Sequence, residues 1–207
     1  MTPEAYAHLR KQCPAMRRLI TAHGPCGLEV ETGWTPFQAL VSAVAHQQLH
    51  GKAAATILKR FRTLYGGRFP SAQRLATEDD DALRACGFSR SKIAALRDIA
   101  AKSIDGTVPG SRLIKTLPDE EIIARLTAVR GVGRWTAQML LIFKLGRPDV
   151  LPADDFGVRA GFQVAFRLDA MPSAKVVIEY GERWRPHGTT AAWYLWRAAD
   201  AAKNPLG

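Results

Sequence analysis

Asp154 and Asp155 stand side by side after Leu151-Pro152-Ala153. An aspartate here has two uses. It can cap the helix that follows, because its side-chain oxygen accepts a backbone N–H. It can also present an anion that stabilises developing positive charge and directs a water. The uses are compatible: Asp154 is expected to cap while Asp155 projects outward, and a helix N-terminus favours the ionised carboxylate. Upstream lies Gly131-Val132-Gly133-Arg134-Trp135-Thr136. Two glycines permit positive φ and close approach of a backbone to a partner. The N–H groups of Val132 through Thr136, at a helix start, suit phosphate oxygens, with Arg134 beside them. Arg130, Lys144, Arg147 and Arg159 are near in sequence. Four of the five tryptophans lie from Trp135 to Trp196. Trp193 and Trp196 are spaced to share a helix face, and one of them is expected in the core.

These residues need helices to position them. Ile122, Ile123, Leu126 and Val129 fall on one helical face, and Met139, Leu140, Leu141 and Phe143 on a second helix, with Arg130 to Arg134 between. The helix-hairpin-helix spans about residues 119–145, and a loop over 146–155 carries the aspartates. Elsewhere, prolines and glycines divide the chain into helix-sized pieces. Residues 3–23 predict one or two basic helices broken near Pro14, and residues 24–34 a turn-rich connection. Further helices are expected over 36–48, 52–65, a short one capped by Thr77 with Asp80, and 89–104. After the aspartates come 156–167, 173–183 and a last helix introduced by Pro186. No alternating strand pattern, internal repeat or low-complexity segment occurs. The class is all-α, with residues 1–207 read as a single helical domain.

The hairpin, followed at this distance by Leu151-Pro152-Ala153-Asp154-Asp155, resembles the helix-hairpin-helix DNA glycosylases. It is most similar to the alkylbase type, DNA-3-methyladenine glycosylase II. Gln47-Gln48-Leu49-His50-Gly51-Lys52-Ala53-Ala54 and Trp184-Arg185-Pro186 with Ala191-Ala192-Trp193-Tyr194-Leu195-Trp196-Arg197 match as well. The resemblance implies two helical lobes with an active-site cleft between them, residues 1–34 completing one lobe. It places the catalytic carboxylate at Asp155. It puts Trp135, Met139, Trp196 and Gln47 around the base, and gives Gln48 or His50 the gap left by a flipped nucleotide. Gly131, Val132, Gly133, Arg134 and Thr136 would hold the DNA backbone. Bifunctional relatives carry a Schiff-base lysine where this chain has Trp135, so the resemblance implies a monofunctional, water-using enzyme on alkylated purines in duplex DNA. It requires no cofactor. A structural Na+ or K+ could sit on the carbonyls of Thr127, Val129 and Val132. The chain departs from relatives at Met139, where some have tyrosine, and at His187-Gly188, where many have an aromatic and a basic residue.

Composition agrees. Net charge is +10 and the pI about 10.0, which suits a polyanionic partner. Three cysteines, Cys13, Cys26 and Cys86, are odd in number and scattered, so a disulfide framework or four-cysteine cluster is not expected. No apolar run approaches the roughly 18 residues of a membrane span, and no signal-peptide pattern opens the chain. The expectation is an intracellular monomer, in the cytoplasm or nucleoid if bacterial. Two other functions fit part of the pattern: a related glycosylase for neutral lesions, and a non-catalytic DNA-damage binder that kept the hairpin.

Overall fold

Helix starts follow from cap chemistry. Pro3, Pro14 and Pro36 each open a helix at a position where the missing N–H has no helical partner to lose. Thr35 and Gln38 close a capping box by satisfying each other's backbone amides. Ser71, Asp79, Ser89, Asp155 and Ser173 each accept an N–H from the first turn they precede. The computed structural model describes residues 2–203. Among these the regular elements are α1 (Pro3–Gln12), α2 (Pro14–His23), α3 (Pro36–His46), α4 (Gly51–Leu64), α5 (Ala72–Ala76), α6 (Asp80–Cys86), α7 (Arg90–Ile104), α8 (Asp119–Thr127), α9 (Arg134–Phe143), α10 (Phe156–Phe166), α11 (Ala174–Gly181) and α12 (Gly188–Lys203), with two short 3-10 turns. No strand occurs among the described residues. The protein is all-α.

The chain divides into two compact units. One comprises Met1–Val30 and Leu141–Gly207, the other Glu31–Leu140. In the first, α10 and α12 are the central pair. They approach so closely that a Cβ on Gly161 would stand 1.8 Å from the Leu195 carbonyl oxygen, which only glycine avoids. Leu9, Met16, Ile20, Phe162, Trp184, Tyr194 and Leu195 fill the core around them. Burying side chains of this size stabilises by about 1.5–3 kcal/mol each. In the second unit, Phe61 of α4 is fully buried and meets Tyr65, Phe69 and Phe88 edge-on. Leu40, Leu75, Leu96 and Ile99 pack in the same unit.

Several local expectations are corrected. The five-residue α5 is too short to show a period in the sequence. α6 is capped by Asp79, not Thr77, whose hydroxyl donates back to the Arg74 carbonyl at 3.3 Å. α11 ends at Gly181 and continues as a 3-10 turn to Trp184. The last helix begins at Gly188, not directly after Pro186.

Candidate active site

Asp155 is the N-cap of α10. Its Oδ1 accepts the Val158 N–H at 2.8 Å, which corrects the expectation that Asp154 would cap. Asp154 is exposed. The same Oδ1 accepts a second bond, at 2.8 Å, from the indole Nε1–H of Trp196 on α12. Trp196 is half-buried, with Phe143 stacked on it at 5.8 Å between centroids and 22° between planes. The carboxylate is therefore held from two helices and sits at the positive end of α10. Phe156, the next residue, is 64% exposed. In the sequence, only its place beside the aspartate marks it.

The loop carrying Asp155 is tied to the start of α12. The Asp149 carboxylate accepts the Gly188 N–H at 3.0 Å and the Arg185 guanidinium at 2.9 Å. The Thr189 hydroxyl donates to the Arg147 carbonyl at 2.6 Å and accepts the Val150 N–H at 3.0 Å. Helix α12 thus fixes the loop at its base and Asp155 at its tip. Trp193, the other tryptophan of this helix, packs edge-on against Tyr194 and lies under the Arg197 guanidinium. His187 stands 5.3 Å from His8, ring to ring. Burial, then the His8 charge, push its pKa down. The Arg159 Nε donates to the Pro172 carbonyl at 2.8 Å, which orients its guanidinium.

In the second unit the hairpin between α8 and α9 is held by side chains. Gly131 has φ +76°, the left-handed turn its position was expected to need. Asp98 of α7 accepts the Arg130 N–H at 2.6 Å and pairs with Lys102 at 2.7 Å. Burial works against the Asp98 charge, but Lys102 and the Arg130 amide outweigh it and hold the carboxyl below its ordinary range. Gln47, expected beside the base, directs its amide at the hairpin, donating to the Gly131 carbonyl at 2.7 Å. No sequence pattern announced either hold.

The Val132 N–H, expected to face a phosphate, turns inward to the Val129 carbonyl at 3.1 Å, and its side chain is buried. The Ala137 N–H donates to the Gly133 carbonyl at 3.1 Å, at the start of α9. The Thr136 side chain is buried. Arg134 makes a two-pronged pair with Glu120, at 2.9 and 2.5 Å, which holds the Glu120 carboxyl below its ordinary range. Both partners are largely exposed. Such a pair contributes only about 0–1 kcal/mol. Trp135 is 47% exposed, ruling out full burial in the core, and Met139, one turn on, is half-buried.

The segment after α3 is strained. Gln48 has φ 56°, a left-handed conformation uncommon outside glycine. It is exposed, as is Leu49. His50 caps α4, its Nδ1 accepting the Lys52 N–H at 3.4 Å.

Known proteins resemble this chain in sequence and fold. The chain is 44% identical over 168 residues to DNA-3-methyladenine glycosylase 1 of Schizosaccharomyces pombe, covering 81% of this chain and 74% of that protein. The solved structure of an S. pombe 3-methyladenine DNA glycosylase in complex with abasic DNA matches with a TM-score of 0.80 at 40% identity, covering 94% of this chain and 95% of that one. A DNA-3-methyladenine glycosidase from Bacillus halodurans matches with a TM-score of 0.88 at 32% identity, over 98% of this chain and 92% of the other. Residues 41–186, which hold the hairpin, its supports and the Asp155-capped helix, match the HhH-GPD superfamily of base excision DNA repair proteins, and the chain belongs to that family.

Proposed function

We propose that this protein is a monofunctional DNA glycosylase of base excision repair that hydrolyses the N-glycosidic bond of alkylated purines in duplex DNA. The observation that carries this is the Asp155 carboxylate, held by the Val158 amide and the Trp196 indole at the start of α10. As the base departs, the sugar gains oxocarbenium character. A fixed carboxylate stabilises that charge without reorganising, and can direct a water to the same carbon. Trp135 has no amine, so no Schiff base forms there. Its exposed indole offers a stacking face to an extruded base. A purine alkylated at N3 or N7 is cationic, so an aromatic face attracts it by roughly 0.5–2 kcal/mol per contact. Such a base also leaves without protonation.

DNA would be gripped by the amides at the start of α9 and by Arg134 after exchange of Glu120. Gln48, Leu49 and His50, all exposed at this strained turn, are the side chains best presented for the gap left by the base. The carbonyls of Thr127, Val129 and Val132 would be the ligands of a monovalent cation. The last carbonyls of a helix lack helical partners, and the Val129 oxygen keeps a lone pair beyond its bond to Val132. A cation there would supply fixed positive charge beside a phosphate. The partner is double-stranded DNA bound by one copy of the chain.

The test is release of free base from defined duplexes. Cationic 3-methyladenine and 7-methylguanine should be released fastest. Neutral hypoxanthine should be slower by about ten- to a thousandfold, or 1.4–4 kcal/mol in barrier. No release of any alkylated base, with DNA binding intact, would favour a damage-binding protein.

A further inference from the structure

Gly157 lies one turn before Gly161 on the face of α10 that meets α12. Gly161 permits the backbone contact of the two helices. Gly157 performs a different task. A Cβ there would stand 2.8 Å from Trp196 Cδ1, 3.3 Å from Trp196 Nε1 and 3.1 Å from Asp155 Oδ1. Carbon atoms pack at about 3.5–4.0 Å, so the indole would have to withdraw by roughly 0.7 Å or more. The Trp196–Asp155 bond, now 2.8 Å, would then reach the limit of a hydrogen bond. Parting the helices instead would open the close backbone packing at Gly161 and Leu195, one turn away.

We propose that Gly157 is a positioning residue for the reaction: its lack of a side chain is the opening through which Trp196 reaches the Asp155 carboxylate. This rests on the assignment of Asp155 as the catalytic group. The Val158 amide alone leaves the carboxylate free to turn about its last torsion, which is broad for aspartate. A second donor on the same oxygen defines the carboxylate plane, and with it the direction the group faces toward the sugar. A hydrogen bond to a charged group contributes enough for its loss to slow a step that depends on it by roughly tenfold.

Gly157→Ala, Trp196→Phe and the double variant are compared with the native chain on a duplex bearing one 7-methylguanine, in single turnover. Affinity for a duplex with a tetrahydrofuran abasic analogue is measured alongside, and the indole N–H resonance of Trp196 is followed by 15N NMR. Each single variant should lose about tenfold in rate and keep its abasic-DNA affinity within about twofold. The double variant should match the slower single one, because both changes remove one bond. The Trp196 indole resonance should move the same way in Gly157→Ala and in Asp155→Ala, which removes the acceptor. A native rate in Gly157→Ala, multiplied losses in the double variant, or an unmoved indole resonance would each overturn the proposal. Should Gly157→Ala not fold, a native rate in Trp196→Phe overturns it equally. If Asp155→Asn itself excises at the native rate, it is the catalytic assignment that fails, and the resonance still reports whether Gly157 sets the bond.

Discussion

At position 155 one side chain both begins a helix and carries the anion. The cap bond to Val158 and the indole bond from Trp196 converge on one oxygen, so folding of α10 and α12 prepares the carboxylate before DNA arrives. Position 135 supplies the complementary absence, an indole where a lyase needs an amine. Borohydride treatment of the protein on lesion-bearing DNA should therefore yield no specific covalent complex. A stoichiometric adduct would show that another amine attacks the sugar. Asp155 stood out in the sequence as a candidate because it follows the paired glycines and Pro152. Its partner bond did not. Trp196 is 41 residues away, and nothing in the spacing of Trp193 and Trp196 says which of the two turns toward the aspartate. The assignment of the cap to Asp154 failed for a similar reason: neighbouring aspartates cap equally well, and only the loop geometry chooses.

At the scale of elements, the hairpin is held rather than merely connected. Asp98 fixes the Arg130 amide and Gln47 the Gly131 carbonyl, so α7 and the end of α3 set the course of the α8–α9 turn. Asp98→Ala should leave the fold intact but loosen that turn, weakening binding to undamaged duplex by about five- to thirtyfold, or 1–2 kcal/mol. Glu120→Gln should act in the opposite direction. It weakens the Arg134 pair and removes a negative charge beside the hairpin, so affinity should rise by a few-fold at low salt. Fluorescence anisotropy with a labelled duplex checks both; stronger binding by Asp98→Ala would contradict the holding role. The two glycines made the hairpin readable from the sequence. Its supports were not readable, since Asp98 is 32 residues from Arg130 and Gln47 is 84 from Gly131. Helix α5 escaped because five residues carry no measurable period, and the inward turn of the Val132 amide is a property of backbone geometry alone.

At the scale of the whole molecule, the net charge of +10 and the hairpin predict binding dominated by phosphates. With about four to six phosphates neutralised, log affinity should fall with log salt at a slope of roughly −4 to −5. A flat dependence would argue against DNA as the partner. Stability should depend on pH through His187, whose folded pKa is pushed below the ordinary 6.5 by burial and then by His8. The unfolded chain takes up that proton first. The contribution is fully present above about 6.5 and is lost as pH falls toward the folded value. Tm should thus drop between pH 7 and pH 5.5, and His187→Asn should flatten that drop. The Asp98 contribution is lost only at lower pH, as pH falls through a folded value held below the ordinary 3.8. The all-helical class and the charge could be read from composition and periodicity. The division at Val30 and Leu141 could not, because it joins the two ends of the chain through tertiary packing.

The most direct measurement is single-turnover release of 3-methyladenine by Asp155→Asn, beside the native protein and Asp154→Asn, with abasic-DNA affinity and Tm recorded for each. Asparagine keeps an oxygen for the Val158 and Trp196 donors but removes the charge. The account predicts a loss of at least about a hundredfold in Asp155→Asn with binding and folding retained, and little change in Asp154→Asn. Near-native release by Asp155→Asn, or a comparable loss in Asp154→Asn alone, would contradict it.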